Sequence, residues 1–120
     1  MRRYNQTVYR DGVDGTTEQF TSATHNELLG SADVFILQWR GTRVGGTAPK
    51  VTVVLYGSDN GTDWINRETL VNLATLTAGQ LNTGVAESTT KTMAFARLGI
   101  SLTGTLPTAD IEVIVCGRDA

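Results

Sequence analysis

His25 is the only histidine of the chain. It stands in Thr24-His25-Asn26-Glu27, and an imidazole close to a carboxylate has the residue types for general acid–base work. That chemistry also needs a nucleophile or a substrate cleft, and no motif marks a Ser or Cys for the role. A lone His in a polar loop reads as a solvated loop residue. Cys116 is the only cysteine, which excludes an intramolecular disulfide and a cysteine-based metal framework. Nothing in the sequence brings His25 beside it, so an inert, buried thiol is expected. Asp59 and Asp63 are a carboxylate pair of the commonplace kind found in turns. Gly41-Thr42-Arg43-Val44-Gly45-Gly46 is glycine-rich but lacks the Gly-Lys-Ser/Thr ending and the helix that a phosphate cradle needs. No catalytic residue, cofactor site or metal ligand is expected, and the chain does not read as an enzyme.

The most chemically suggestive stretch is Ser58-Asp59-Asn60-Gly61-Thr62-Asp63-Trp64, which follows the apolar run Val51–Tyr56. Calcium would require more oxygen ligands at regular spacing and a distal Glu. Asp59-x-Gly61-x-x-Trp64 is similar to the Asp-box turn of sialidase propellers, but it occurs once and the chain is too short for a propeller. Stacking of a sugar on Trp64 is a further reading, against which a Trp just after a hairpin turn is expected to pack inward. The bland reading is a turn. Asn60-Gly61 is a strong type I′ hairpin signal, with Ser58 and Asp59 accepting hydrogen bonds from nearby amides.

Composition points to the frame that carries these residues. The chain has 120 residues, 40% hydrophobic and 18% charged, enough for one modest core. Thr and Gly make up the shortfall, as suits β-strands with many turns. A net charge of −2 with no basic run argues against nucleic acid as a partner. Only Lys50 and Lys91 are lysines, so Arg dominates the cations, as suits protein interfaces. No apolar run reaches the length of a membrane span. The N-terminal stretch lacks the apolar core of a cleaved signal, so synthesis in a host cytoplasm is expected.

Residues 1–12 read as a polar N-terminal arm, with a first strand within Gln6–Arg10, and 13–120 as a single β-sandwich domain. A second strand is centred on Phe20, and His25–Gly30 is a turn. Asp33–Arg40 and Val51–Tyr56 alternate as strands. Gly41–Pro49 reads as a glycine-rich loop between them. Trp64–Leu70 returns, Leu70–Leu81 reads as a long connection with at most one helical turn, and Asn82–Thr90 as a polar loop. Lys91–Leu102 and Asp110–Cys116 are strands joined through Gly104–Pro107. Seven to eight short strands without convincing helices imply an all-β antiparallel sandwich or jelly-roll-like domain.

One pattern exceeds what such a sandwich needs. The less apolar faces of the best strands carry Val34, Ile36, Val54, Tyr56, Phe95, Ile114 and Cys116, where polar side chains are the norm. Either the chain covers them itself or they contact another subunit. The arm residues Arg2, Arg3, Tyr4, Tyr9 and Arg10 have interface composition. A protein interface through these five together with Val54, Tyr56, Phe95 and Ile114 is the expectation.

The succession Ala32–Trp39, then Val-x-Val-x-Leu-x-Gly-Ser-Asp-x-Gly-x-x-Trp over Val51–Trp64 and Phe95–Arg118 at the close, resembles small β-sandwich virion proteins of tailed bacteriophages. The resemblance covers the chain from about Thr17 onward. It implies a capsid decoration, or cement, protein: a structural virion component on the capsid exterior, bound to the major capsid protein and bridging its subunits. It further implies a homo-oligomer, dimer or trimer, on the shell. Similar Ser-Asp-Gly-x-x-Trp hairpins occur in carbohydrate-binding sandwiches. A glycan-binding module using Trp39, Trp64 or Tyr56, and a minor tail or neck component, therefore stand as alternatives.

Overall fold

The computed structural model describes residues 3–31, 34–88 and 93–118. Among the described residues six strands occur in the order β1 (Arg3–Asp14), β2 (Gln19–Phe20), β3 (Val34–Ser58), β4 (Ile65–Thr75), β5 (Asn82–Glu87) and β6 (Phe95–Arg118). A short 3₁₀ turn (Ala23–His25) and the helix α1 (Asn26–Ser31) follow β2. Every strand pairing is antiparallel.

The long strands β3 and β6 pair with one another from Val34↔Arg118 to Ser58↔Phe95, and this pairing organises the fold. The leading half of β3 (residues 34–42) lies between β5 and the trailing half of β6, which in turn pairs with β1. The trailing half of β3 (50–58) lies between β4 and the leading half of β6, which pairs with β2. Each long strand thus serves both sheets, giving β5-β3-β6-β1 on one side and β4-β3-β6-β2 on the other. This is the expected all-β sandwich of jelly-roll-like form, with the strand count reached by two strands used twice.

The bend between the halves is built from bulges. The β3–β6 register shifts three times between Thr42 and Lys50. Arg43, Gly46 and Ala48 on β3, and Gly104 and Leu106 on β6, have positive φ there. Left-handed residues rotate the strand locally and increase its twist, which is how a sheet turns a corner without losing its pairing. Gly46 and Gly104 need to be glycine for space as well. A Cβ on Gly46 would come within 2.5 Å of the Leu106 carbonyl oxygen, and one on Gly104 within 2.6 Å of that of Thr47. Gly41–Pro49, expected as a loop, is therefore a bulged continuation of the strand.

The two sheets enclose one core. Leu37, Trp39, Ile111, Val113 and Val115 from the first sheet meet Val51, Val53, Leu55, Leu98, Ile100 and Leu102 from the second. The odd–even alternation of these positions follows from the period of two along a strand. α1 closes one open side with Leu29, which is fully buried. Truncating such a Leu to Ala costs about 2–5 kcal/mol.

Three other readings are corrected. Residues 3–12, read as an arm with a strand only within Gln6–Arg10, form most of β1 and pair along β6. Leu70–Leu81 is not a loose connection: β4 continues to Thr75, and Asn82–Glu87 is strand β5. Bulges hid this. The β3–β4 register shifts at three points, and Leu73 has φ 50°, so the apolar spacing there loses its period of two. Asn82 then fixes the β4–β5 link, its side chain bonding Thr77 N and the carbonyls of Gly41, Thr77 and Gln80 at 2.8–3.2 Å.

Candidate functional site

The turn after β3 is wider than a two-residue hairpin. Gly61 has φ 78°, but Asn60 is not left-handed, so it is not type I′. Side chains set its shape instead. Ser58 Oγ accepts from Gly61 N (2.9 Å) and Asn60 N (3.3 Å) and donates to Asn60 Oδ1 (2.9 Å). That oxygen accepts from Thr62 N and Asp63 N, and Asn60 Nδ2 donates to Asp63 Oδ2. Ser58, Asn60 and Asp63 use their polar groups to close the turn.

The turn delivers Trp64 onto the outer face of the second sheet. It is half-buried there rather than packed in the core, because its ring lies against Arg97, whose guanidinium carbon is 4.4 Å from the ring centroid. The same guanidinium is 3.9 Å from the Phe20 ring and 5.9 Å from that of Tyr56. Phe20 and Tyr56 meet edge to face at 5.8 Å. Strand register explains the convergence, since Tyr56 is opposite Arg97 and both Val54 and Phe20 are opposite Gly99. Tyr56 Oη donates to Glu18, 3.0 Å from each carboxylate oxygen. Gly99 makes room for that pair: a Cβ would sit 2.3 Å from Glu18 Oε2 and 2.9 Å from the Tyr56 ring. Burial, then the bond to Glu18 and the charge of that carboxylate, raise the Tyr56 hydroxyl above its usual range, with Arg97 opposing. Arg97 Nε is buried without a hydrogen-bond acceptor, and no carboxylate pairs with Arg97 among the described residues.

The outer face of the first sheet is different. Its rows run Glu87–Ile36–Cys116–Asn5, Val85–Gln38–Ile114–Thr7 and Thr83–Arg40–Glu112–Arg10 across β5, β3, β6 and β1. Val85 is 69% exposed and Ile36 44%. Cys116 is exposed as well, contrary to the expected buried thiol: the inward positions of the last strand are Ile111, Val113 and Val115, so Cys116 falls on the outer parity. Arg10 Nε donates to Glu112 at 2.7 Å. A shallow groove of about 490 Å³ lies between Arg10, Arg40, Asp110 and Glu112.

The residues expected at an interface therefore separate. Val54, Tyr56 and Phe95 lie on the outer face of the second sheet. There Phe20 stands opposite Gly99, Trp64 packs on Arg97, and Gly61 approaches the Phe95 ring. The chain's own side chains pack beside them there, and Tyr56 and Phe95 stay half-buried. Ile114 and Arg10 belong to the open face. Tyr9 packs partly against the core, because the bulge at Val8 turns both residues inward. Arg3 and Tyr4 pair through their backbones with Arg118 and Gly117, and Arg2 lies outside the described residues. Trp39, considered for stacking, is only 5% exposed. Sequence reasoning missed Phe20, Glu18 and Arg97; their one signal was Gly99 in an otherwise apolar alternation.

His25 bonds Gln6 at 3.3 Å through Nδ1. Among the described residues, no group of three or more His, Cys, Asp and Glu side chains is placed to hold a metal. No described helix is long and apolar enough to cross a membrane.

No protein-family model matches the chain, and no curated protein sequence does. Solved structures share its fold. The infectious bursal disease virus VP2 subviral particle matches at TM-score 0.60 and 10% identity, over 99% of this chain and 37% of that one. The xylan-binding CBM22-1 domain of Paenibacillus barcinonensis Xyn10C matches at 0.62 and 8%, over 100% and 99%. The Clostridium thermocellum xylanase 10B CBM22-1–GH10 modules, complexed with xylohexaose, match at 0.65 and 12%, over 97% and 24%. The chain thus spans about a third of the viral protein, a quarter of the xylanase and nearly all of the xylan-binding domain. At such identities the likeness is one of fold: a β-sandwich shared by capsid and carbohydrate-binding proteins.

Proposed function

We propose that this chain is a non-catalytic structural virion protein, a decoration or cement protein that adheres to the outside of an assembled capsid and bridges its major subunits as a homo-oligomer. The observation that carries the reading is the contrast between the two outer faces. One is filled by the chain's own aromatic side chains; the other leaves Ile36, Val85 and Ile114 among charges of both signs. Apolar side chains ringed by Arg10, Arg40, Glu87 and Glu112 are the makeup of a protein-contact patch. The fold's occurrence in a viral shell protein supports the setting.

Size then constrains the mechanism. Four strands at about 4.8 Å spacing and eight or so residues at about 3.3 Å give a face on the order of 500 Å². Stable pairs bury about 800 Å² per partner. One such contact is weak, so adhesion has to sum over several subunits, and it favours the assembled shell over free subunits. Co-sedimentation with assembled capsids, but not with unassembled capsid subunits, is the test; equal binding to both would remove the bridging role.

A second reading has its own observation. Phe20, Tyr56, Trp64, Arg97 and Glu18 combine ring faces with polar groups in the way saccharide sites do, and the fold likeness extends over a whole xylan-binding domain. Retention on a polysaccharide column tests it.

A further inference from the structure

Building on the second reading, we infer that the outer face of the second sheet binds an acidic saccharide, a chain of hexuronate residues, with a ligand carboxylate on Arg97. The argument starts from charge. Arg97 is a half-buried cation held between Phe20 at 3.9 Å and Trp64 at 4.4 Å. Packing against two rings restricts the side chain, which lowers the ordering cost of a bond from its guanidinium to a carboxylate. No described carboxylate neutralises it. Glu18, on the same face, accepts from Tyr56 Oη, which lies 3.0 Å from each of its oxygens.

The surroundings narrow the ligand class. Phe20 is 38% exposed and offers an apolar surface beside the charge, which suits the C–H face of a sugar ring. Glu18 keeps acceptor capacity beyond its bond to Tyr56 and suits sugar hydroxyls. A polyanion without hydroxyls would meet Glu18 as a like charge. Neutral sugars would leave Arg97 without its counter-charge. A hexuronate answers both.

The experiment titrates the whole protein with a galacturonate hexamer, with xylohexaose and with a polyglutamate peptide, at low and at high salt. Binding is followed by calorimetry and by fluorescence of Trp64, the other tryptophan, Trp39, being buried. The galacturonate hexamer is expected to bind, to weaken as salt screens the charge, and to lose about tenfold or more in affinity in Arg97→Gln, in line with a charge-assisted hydrogen bond. Arg97→Lys keeps the charge without the planar fork and is expected to fall between. Should Arg97→Gln misfold, the salt dependence and fluorescence of the unaltered protein still decide. Xylohexaose binding as tightly as the galacturonate hexamer, without salt dependence, overturns the charge assignment and leaves the saccharide reading standing. No binding of either sugar overturns both. Binding of polyglutamate alone overturns both as well, in favour of a protein partner.

Discussion

Tyr56 and Arg97 face each other across the β3–β6 ladder, and each has its own partners: Tyr56 Oη holds Glu18 at 3.0 Å, while Arg97 lies over Phe20 and Trp64. These contacts cover one outer face of the sandwich with the chain's own side chains. Among the described residues no comparable aromatic cluster covers the opposite face, where Val85 and Ile36 are exposed, and the proposed adhesion rests on that asymmetry.

The asymmetry predicts the behaviour of Val85→Lys. Val85 is 69% exposed, so folding stability should change by no more than about 0.5 kcal/mol in urea unfolding. Binding to assembled capsids should fall at least tenfold, because a desolvated lysine opposes an apolar contact. Undiminished adhesion would move the contact to another face.

The corner between the sheets predicts a stabilised variant. Leu106 has φ 48° and is 84% exposed, so it is strained without being packed. Left-handed geometry costs a side-chain-bearing residue about 1–2 kcal/mol, and the added backbone freedom of glycine returns about 0.5–1 kcal/mol of that. Leu106→Gly should raise the thermal midpoint by a few degrees. A lowered midpoint would show that Leu106 contributes packing.

Much of the frame was legible in the sequence, and the losses have a common cause. Leu98, Ile100 and Leu102 alternate without interruption, as do Val51, Val53 and Leu55, and all six are core. Where a bulge intervenes, as at Leu73 or Arg43, parity shifts and a strand reads as a connection or a loop. Cys116 was misplaced by residue type although its parity gave the outer face. The candidate saccharide site was legible only in fragments. Tyr56 and Trp64 stood out as aromatic, but joining them to Glu18, Phe20 and Arg97 requires the β2–β6 and β3–β6 registers, which no local pattern supplies.

The turn between β3 and β4 should depend on one hydroxyl. Ser58 is fully buried, and its Oγ serves the amides of Asn60 and Gly61. Ser58→Ala leaves these donors without that acceptor, at a cost of about 1–3 kcal/mol in denaturant unfolding. A change under about 0.5 kcal/mol would mean water replaces the hydroxyl.

Alkaline pH tests the Tyr56–Glu18 pair. The folded-state pKa of Tyr56 is raised, first by burial and then by Glu18. Its contribution is therefore complete below the unfolded value of about 10 and lost as pH rises through the folded value. Tyr9 is raised too, by burial and Asp11, so both act in the same direction. Stability should decline above about pH 10, and Tyr56→Phe should flatten part of that decline; an unaltered slope would place the effect elsewhere.

Adhesion to an assembled shell is most directly tested by copy number. Quantitative mass spectrometry of purified particles should find this protein at a simple, near-stoichiometric ratio to the major capsid subunit, and that ratio should drop for Val85→Lys. Absence from particles, or only a few copies in each, would contradict a cement role.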